Sequence, residues 1–370
     1  MKKLLFIVNV DWFFVSHRLP IALAAIKQGF EVHLACAVTD KKSLLESHGI
    51  IVHPLELSRS GVGFLNELKS LIQLFFVIRA IKPYIAHSIT IKAVLYGNIV
   101  ARLLRVPVRI SSISGLGYTF IASGTKAKLF RLFIAKLYKL ALGGAKAVVF
   151  QNTADRDTLK QLGAIKACQE VFIRGSGVDL SVYSVGDEPQ HTPVIMLVAR
   201  LLIDKGVNEF VAAASLVKSK QADIRMVLVG DIDLGNPKSI SFQKLQEWVA
   251  SGIIEHWGYR VDVSQTMAKA NVIVLPSYRE GLPKSLIEAA ACGRAVITTD
   301  VPGCRDAIEA NKTGLLVPVK TVEPLAEAIL TLTNNDQLRH EFAIRARELA
   351  EEAFDINDVI NIHIDIYNRF

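Results

Sequence analysis

Val272-Ile-Val-Leu275-Pro276-Ser-Tyr-Arg-Glu280-Gly-Leu-Pro283-Lys-Ser-Leu-Ile-Glu288 reads as a buried strand, a polar loop and the opening of a helix. The strand is apolar and rich in β-branched residues, and it ends at Leu275. Pro283 suits the first position of a helix, because its missing N–H has no partner to lose there. The backbone N–H groups of Gly281, Leu282, Lys284, Ser285 and Leu286 are then placed to hold a phosphate. Glu280 stands in the loop and Glu288 in the second helical turn. A carboxylate beside a phosphate site favours hydroxyl groups, since it accepts their hydrogen bonds and repels misplaced phosphate. Two of them point to a sugar at one end of a ligand and a ribose at the other.

The same alternation extends along the chain. Strands are expected at Leu4–Val10, Glu31–Ala35, Tyr84–Ser88, Val108–Ile113, Ala147–Gln151 and Val171–Ile173. Helical patterns lie between them at Leu19–Gln28, Gly61–Ile81 and Ile91–Leu104. A polar break at Ser184–Thr192 precedes a second series, with strands at Val194–Ala199, Arg225–Val229, Val272–Leu275, Ala295–Thr298 and Gly314–Val317. Its helices begin near Gly206, Ser239, Pro283 and Glu323. Alternation of this kind gives parallel sheets with right-handed crossovers. The 370 residues, 51% of them hydrophobic, suffice for two cores. The expectation is two doubly wound α/β domains, 1–184 and 185–370, facing across a cleft, with the last helix able to pack back on the first domain. Ligands of such sheets sit at the carboxyl ends of the strands.

Composition excludes several classes. Four cysteines, Cys36, Cys168, Cys292 and Cys304, show no CxxC or CxxH spacing, which fits reduced thiols in a cytosolic protein. The opening Met1-Lys-Lys-Leu-Leu-Phe imitates a signal peptide, but Asp11 interrupts it early and no small-residue cleavage site follows, so a first buried strand is expected. No apolar run is long enough to span a membrane. Charge is distributed unevenly. Residues 1–185 hold 24 Lys and Arg against 10 Asp and Glu, whereas the remainder holds 19 against 25. Between Glu67 and Asp155 there is no acidic residue and there are 13 basic ones. The first half is therefore built to face something anionic: phosphates, nucleic acid or an acidic membrane surface.

Glu280 and Glu288 form an E-x7-E pattern, and the segment around them resembles the donor-binding signature of family-4 glycosyltransferases, retaining enzymes of the GT-B fold. Val198-Ala-Arg200-Leu-Leu-Ile-Asp-Lys205-Gly206 resembles their G-R-L-x-x-x-K-G element, with Ala199 in place of the usual glycine. Gly175-Ser-Gly177-Val-Asp179 and Gly293-Arg-Ala-Val-Ile also match. The resemblance implies two Rossmann-like domains, with the nucleotide-sugar donor in the C-terminal one and the acceptor in the N-terminal one. Arg200 and Lys205 would then neutralise the leaving diphosphate, with Glu280 facing the sugar and Glu288 the ribose. No cofactor or metal is implied. Asp231-Ile-Asp233 invites a metal reading, but turn chemistry around Asp233-Leu-Gly-Asn236-Pro237 explains these residues.

His87-Ser-Ile-Thr90-Ile-Lys92, Ser114-Gly115-Leu116-Gly117-Tyr118 and Phe150-Gln151-Asn152 look like stretches of bacterial enzymes that extend lipid-linked sugars. Those commonly transfer N-acetylhexosamine to undecaprenyl-diphosphate-linked saccharide in surface glycan, O-antigen or glycoprotein glycan assembly. Many family members carry a histidine after the strand placed at Val108–Ile113, where this chain has Ser114 and Gly115. His17 and His87 are alternative imidazoles, and His17 with Arg18 is expected near the N-terminus of the first helix, where an anion binds. His17, Arg18, Lys92, Ser114 and Gly115 are the acceptor-side candidates, and no general base is assigned.

Lys126–Leu140 contains a basic amphipathic helix pattern. Lys128, Arg131, Lys136 and Lys139 share one face, while Leu129, Phe130, Phe133, Leu137 and Leu140 crowd the other. Such a helix lies on an anionic bilayer. The expected partners are a nucleotide sugar, most simply UDP-linked, a lipid-linked saccharide and an anionic membrane surface. The expected place is cytoplasmic, peripheral on the inner face of the cell membrane. Nucleic acid is not expected, because the aromatics recur at core spacing and form no stacking platform. A nucleotide-sugar epimerase of the same architecture and a transferase with a soluble acceptor are the alternatives.

Overall fold

The computed structural model describes residues 1–56, 64–116, 125–221 and 223–370, with side chains in the helices Phe64–Ile81 and Thr125–Leu142 described from residues 66 and 133 onward. The chain divides into two compact units. One contains Met1–Ser176 and Ile356–Phe370, the other Gly177–Asp355.

Among the described residues the first unit has seven parallel strands: β1 Lys3–Val10, β2 Glu31–Ala37, β3 Ile51–Pro54, β4 Ile85–Ile89, β5 Val108–Ile113, β6 Ala147–Phe150 and β7 Glu170–Phe172. Their order is β3-β2-β1-β4-β5-β6-β7. Helices cover both faces, as the side-chain alternation of β1 demands. Leu4, Phe6 and Val8 join a core with Phe14, Leu34 and Ile110. Leu5 and Ile7 turn to the opposite core with Ala35, Leu74, Ile78 and Val100. Each fully buried aliphatic or aromatic side chain of this kind contributes about 1.5–3 kcal/mol.

The second unit repeats the design with six described strands: β8 Val194–Val198, β9 Arg225–Val229, β10 Glu255–His256, β11 Val272–Leu275, β12 Ala295–Thr299 and β13 Gly314–Val317. The order is β10-β9-β8-β11-β12-β13. Ile195, Leu197 and Val274 pack with Val207 and Phe210 on one face. Met196, Ile273 and Leu275 pack with Leu286 and Ile287 on the other. In each sheet the winding reverses at one place, between β1 and β4 and between β8 and β11. These switch points are where doubly wound sheets open a crevice for ligands.

Two expectations are corrected, the domain boundary and the first helix, while the last helix packs on the first unit as expected. The chain passes into the second unit at Gly177, ahead of the polar break at Ser184–Thr192, because Val178 is already buried in the second core and its N–H donates to Phe354 O at 2.8 Å. The chain returns at Ile356, and the last helix, Ile356–Arg369, buries Val359, Ile364, Ile366 and Tyr367 in the first unit. A short helix, Asp11–His17, precedes Leu19–Lys27. Its first residue is buried: Asp11 Oδ2 accepts the N–H groups of Thr39 (2.7 Å) and Lys41 (3.1 Å), and Oδ1 accepts the Thr39 hydroxyl (2.6 Å). The acidic residue that interrupts the opening apolar run thus ties β1 to the loop after β2.

Candidate functional site

The two segments singled out in the second half meet at the switch point between β8 and β11. After Val198 the chain keeps pairing with the continuation of β9, Ala199 N–H to Val229 O and Leu201 N–H to Asp231 O. It then turns through Ile203–Lys205 and Gly206 into the helix Val207–Lys220. Gly206 has φ +75°, and a Cβ there would stand 2.1 Å from Pro276 O. Only glycine lets the Lys205 turn lie against the loop that follows β11. Tyr278 N–H donates to Asp204 O at 2.9 Å, closing the same junction. On the far side Glu280 N–H donates to Pro302 O at 3.2 Å. Gly303, φ +84°, approaches so closely that a Cβ would be 2.4 Å from Glu280 O. Three loops are thereby packed backbone to backbone around Glu280.

Lys205 Nζ donates to Glu280 Oε1, and the Ser277 hydroxyl lies 2.6 Å from the same oxygen and 2.9 Å from Asp204 O, sharing its one proton. Oε1 is therefore occupied, and among the described residues Oε2 has no hydrogen-bond partner. The lysine and glutamate, separated by 75 residues in sequence, form one partly buried ion pair. Arg200 is placed differently. Its Nη1 donates to Asp233 Oδ2 at 2.8 Å, and the side chain is 42% exposed. Asp233 is thus engaged by a cation, Asp231 Oδ1 accepts the Ile232 N–H, and Asn236 N–H closes a turn on Asp233 O. Among the described residues no three His, Cys, Asp or Glu side chains are grouped to hold a metal ion.

Helix Lys284–Ala291 starts one residue later than expected, with Pro283 as the residue before it, at ψ 124°. Leu286 N–H already donates to Pro283 O at 3.1 Å, so it drops out of the expected phosphate-facing set. Gly281, Leu282, Lys284 and Ser285 remain around the helix start. Glu288 is only 6% exposed. Its Oε1 accepts the Tyr183 hydroxyl at 2.7 Å and lies 3.3 Å from Lys284 Nζ. Cys304 is buried in this region, and burial, with the Glu280 carboxylate, pushes its thiol up to about 12. All four cysteines are free.

In the first unit the candidates separate. His17 closes its helix at the carboxyl end, where the helix dipole disfavours an anion, and it stacks on Phe13 with ring centroids 4.2 Å apart. Arg18 precedes the next helix, but its guanidinium is buried. Nη1 donates to His17 O at 2.8 Å, Nε has no partner among the described residues, and burial lowers its pKa to about 10. His87 is fully buried in β4, between Tyr367 OH and Ser112 Oγ at 2.7 Å each. Burial, then His363 and Arg18, hold it well below the ordinary histidine pKa, so it is a neutral structural residue. Lys92 pairs with Glu67 at 2.7 Å. Gly115 has φ +104°, and among the described residues Ser114 Oγ is buried without a partner. Asn9 Oδ1 and Thr90 Oγ1 share that condition. Sequence reading missed both, although Asn9 is the next-to-last residue of β1 and Thr90 follows β4 as Ser114 follows β5. Gly117 and Tyr118 lie outside the described residues, as do the side chains of Lys128 and Arg131.

The family described as Glycosyl transferases group 1 matches residues 184–349, and the one described as Glycosyl transferase 4-like matches residues 3–152. An N,N'-diacetylbacillosaminyl-diphospho-undecaprenol alpha-1,3-N-acetylgalactosaminyltransferase of Campylobacter jejuni is 30% identical over 365 residues, covering 95% of this chain and 94% of that one. The chain belongs to the group 1, GT4-like glycosyltransferases. A UDP-Gal:alpha-D-GlcNAc-diphosphoundecaprenol alpha-1,3-galactosyltransferase of Escherichia coli is 23% identical, covering 83% of this chain and 81% of that one. The structure of Anabaena HepE in complex with UDP superposes with a TM-score of 0.80 at 19% identity, each chain covered in full. Sucrose-phosphate synthase from Thermosynechococcus elongatus gives 0.80 at 18%, with 100% and 99% covered. The glycosyltransferase thus has the GT-B fold that its E-x7-E segment implied.

Proposed function

We propose that this glycosyltransferase moves an N-acetylhexosamine, with retention, from a UDP-sugar to an undecaprenyl-diphosphate-linked saccharide in the assembly of a bacterial surface or glycoprotein glycan. The observation that carries the reading is the pairing of Lys205 with Glu280 at the switch point, with Glu288 in the helix that follows. The names of the Campylobacter and Escherichia relatives, both with undecaprenyl-diphosphate acceptors and alpha-1,3 products, support the acceptor class. Glu280 faces the sugar, Glu288 the ribose, and Lys205, Arg200 and the N–H groups around Lys284 face the diphosphate. An acceptor hydroxyl oxygen bonds to the anomeric carbon as the bond from that carbon to the diphosphate breaks. The hydroxyl proton passes to the departing phosphate oxygen. Charge developing on that diphosphate is met by protein cations, so the reaction is metal-independent. Asn9, Thr90, Lys92, Ser114 and Gly115 line the acceptor side.

A panel of UDP-, GDP- and ADP-sugars tests the donor by thermal stabilisation. A true donor at about 100 times its dissociation constant stabilises the protein by about 2.7 kcal/mol. Stabilisation by a GDP- or ADP-sugar alone would remove the UDP assignment. Conversion of the donor without any acceptor would mark an epimerase.

The same reading places the protein peripherally on the cytoplasmic membrane face. No described helix is long and apolar enough to cross a membrane. On Phe64–Ile81, Leu68, Ile72 and Phe76 stand exposed at four-residue spacing, Phe76 by 61%. On Thr125–Leu142, Ala135, Tyr138 and Leu142 are buried, whereas Phe133, from the apolar side of the pattern, is 58% exposed. Exposed apolar and cationic side chains on one helix suit an anionic bilayer. Each cation there contributes about 1 kcal/mol, decaying over roughly 10 Å at 0.1 M salt. The protein is expected to float with anionic liposomes at low salt. A Lys128/Arg131/Lys136/Lys139→Glu variant should float several-fold less. Equal flotation of the two would exclude this helix as the contact.

A further inference from the structure

We infer that Tyr183, on the segment that opens the second unit, is a positioning residue that orients the Glu288 carboxylate toward the nucleotide. This rests on the proposal that Glu288 receives the ribose. The Tyr183 hydroxyl donates to Oε1 at 2.7 Å, and Lys284 Nζ stands 3.3 Å from the same oxygen. Oε1 is thereby filled, and among the described residues Oε2 is left without a hydrogen-bond partner. Burial, then the Glu288 carboxylate, raise the Tyr183 pKa, so the phenol keeps its proton and serves only as donor.

The tyrosine is itself held from the helix that carries Glu288. Arg347 Nη1 donates at 2.7 Å both to Tyr183 O and to Ala291 O, the last residue of that helix. Tyr183 N–H donates to Asp179 O at 2.9 Å. Further along, Arg294 donates to Gly186 O at 3.0 Å and to Asp187 O at 3.1 Å. One guanidinium thus fixes the tyrosine backbone to the end of the helix, and the tyrosine hydroxyl fixes a carboxylate in its second turn. A buried carboxylate held at one oxygen presents the other in a single direction. A phenylalanine would keep the packing of this segment and lose only that restraint.

Tyr183→Phe in the full chain tests this, with binding of UDP, 2′-deoxy-UDP and 3′-deoxy-UDP measured by calorimetry beside kcat and KM. The expected result is a loss of UDP affinity of about tenfold, the range of a hydrogen bond to a charged group. Donor KM should rise in proportion, with kcat within about twofold. The preference for UDP over the deoxy nucleotide that the wild type discriminates against should shrink toward one in the variant. That ratio does not depend on the fraction of protein folded. In a Glu288→Ala background Tyr183→Phe should change nothing further. A wild-type UDP affinity and ratio in Tyr183→Phe, with Glu288→Ala still weakened, overturns the role of Tyr183 and leaves the ribose reading intact. An equal loss with and without Glu288 overturns it too, since the tyrosine then acts through packing. Unchanged binding in Glu288→Ala alone overturns the ribose reading itself.

Discussion

Replacing Lys205 by alanine is expected to lower turnover by about 10²–10³-fold, the usual consequence of removing one pre-organised charge stabiliser. In the unliganded protein Nζ is held by Glu280 Oε1, within a turn that Gly206 and Pro276 keep in contact. If the diphosphate binds there as proposed, the cation is already in place. Little reorganisation is then needed as negative charge develops on the leaving group. Arg200→Ala is expected to fall in the same range, although Arg200 starts from its pair with Asp233. Steady-state kinetics at saturating donor are the measurement, and a kcat within threefold of wild type for Lys205→Ala would remove it from the reaction. The wild-type rate should be unchanged in EDTA. A complete loss restored by Mn²⁺ or Mg²⁺ would return Asp231 and Asp233 to a metal role.

Glu280→Gln is expected to lose most turnover while nucleoside diphosphate still binds. The substitution keeps shape and lets Ser277 keep a partner, but it removes the charge that pairs with Lys205 and that, on the proposed reading, accepts hydroxyl groups of the sugar. On the proposed reading the nucleotide is met by Glu288 and the helix start, so its dissociation constant should stay within a few-fold. Calorimetry with UDP beside a transfer assay separates the two effects. Near-normal turnover in Glu280→Gln would remove this carboxylate from the site.

Local periodicity carried the fold because buried parallel strands are continuous apolar runs. Val108–Ile113, Arg225–Val229, Val272–Leu275 and Gly314–Val317 appear residue for residue as expected. The strands that escaped, Ile51–Pro54 and Glu255–His256, lie at sheet edges with one neighbour each and are only four and two residues long. Asp11–His17 escaped because seven residues are too few to display a helical period. Side-chain partners were not legible at all. Lys205 with Glu280, Arg200 with Asp233 and Tyr183 with Glu288 are 75, 33 and 105 residues apart. Such pairs follow from strand order, which no local pattern encodes. The motif around Glu280 named the residues, and only the sheet topology showed that β8 and β11 are neighbours.

The most direct test is mass spectrometry of an undecaprenyl-diphosphate-linked saccharide incubated with the purified protein and UDP-N-acetylhexosamines, beside Glu280→Gln. The account predicts that the acceptor gains the mass of one N-acetylhexosamine with at least one of these donors, that the new linkage is alpha, and that the variant forms little product. No gain with any UDP-N-acetylhexosamine, or an equal gain in Glu280→Gln, would contradict it.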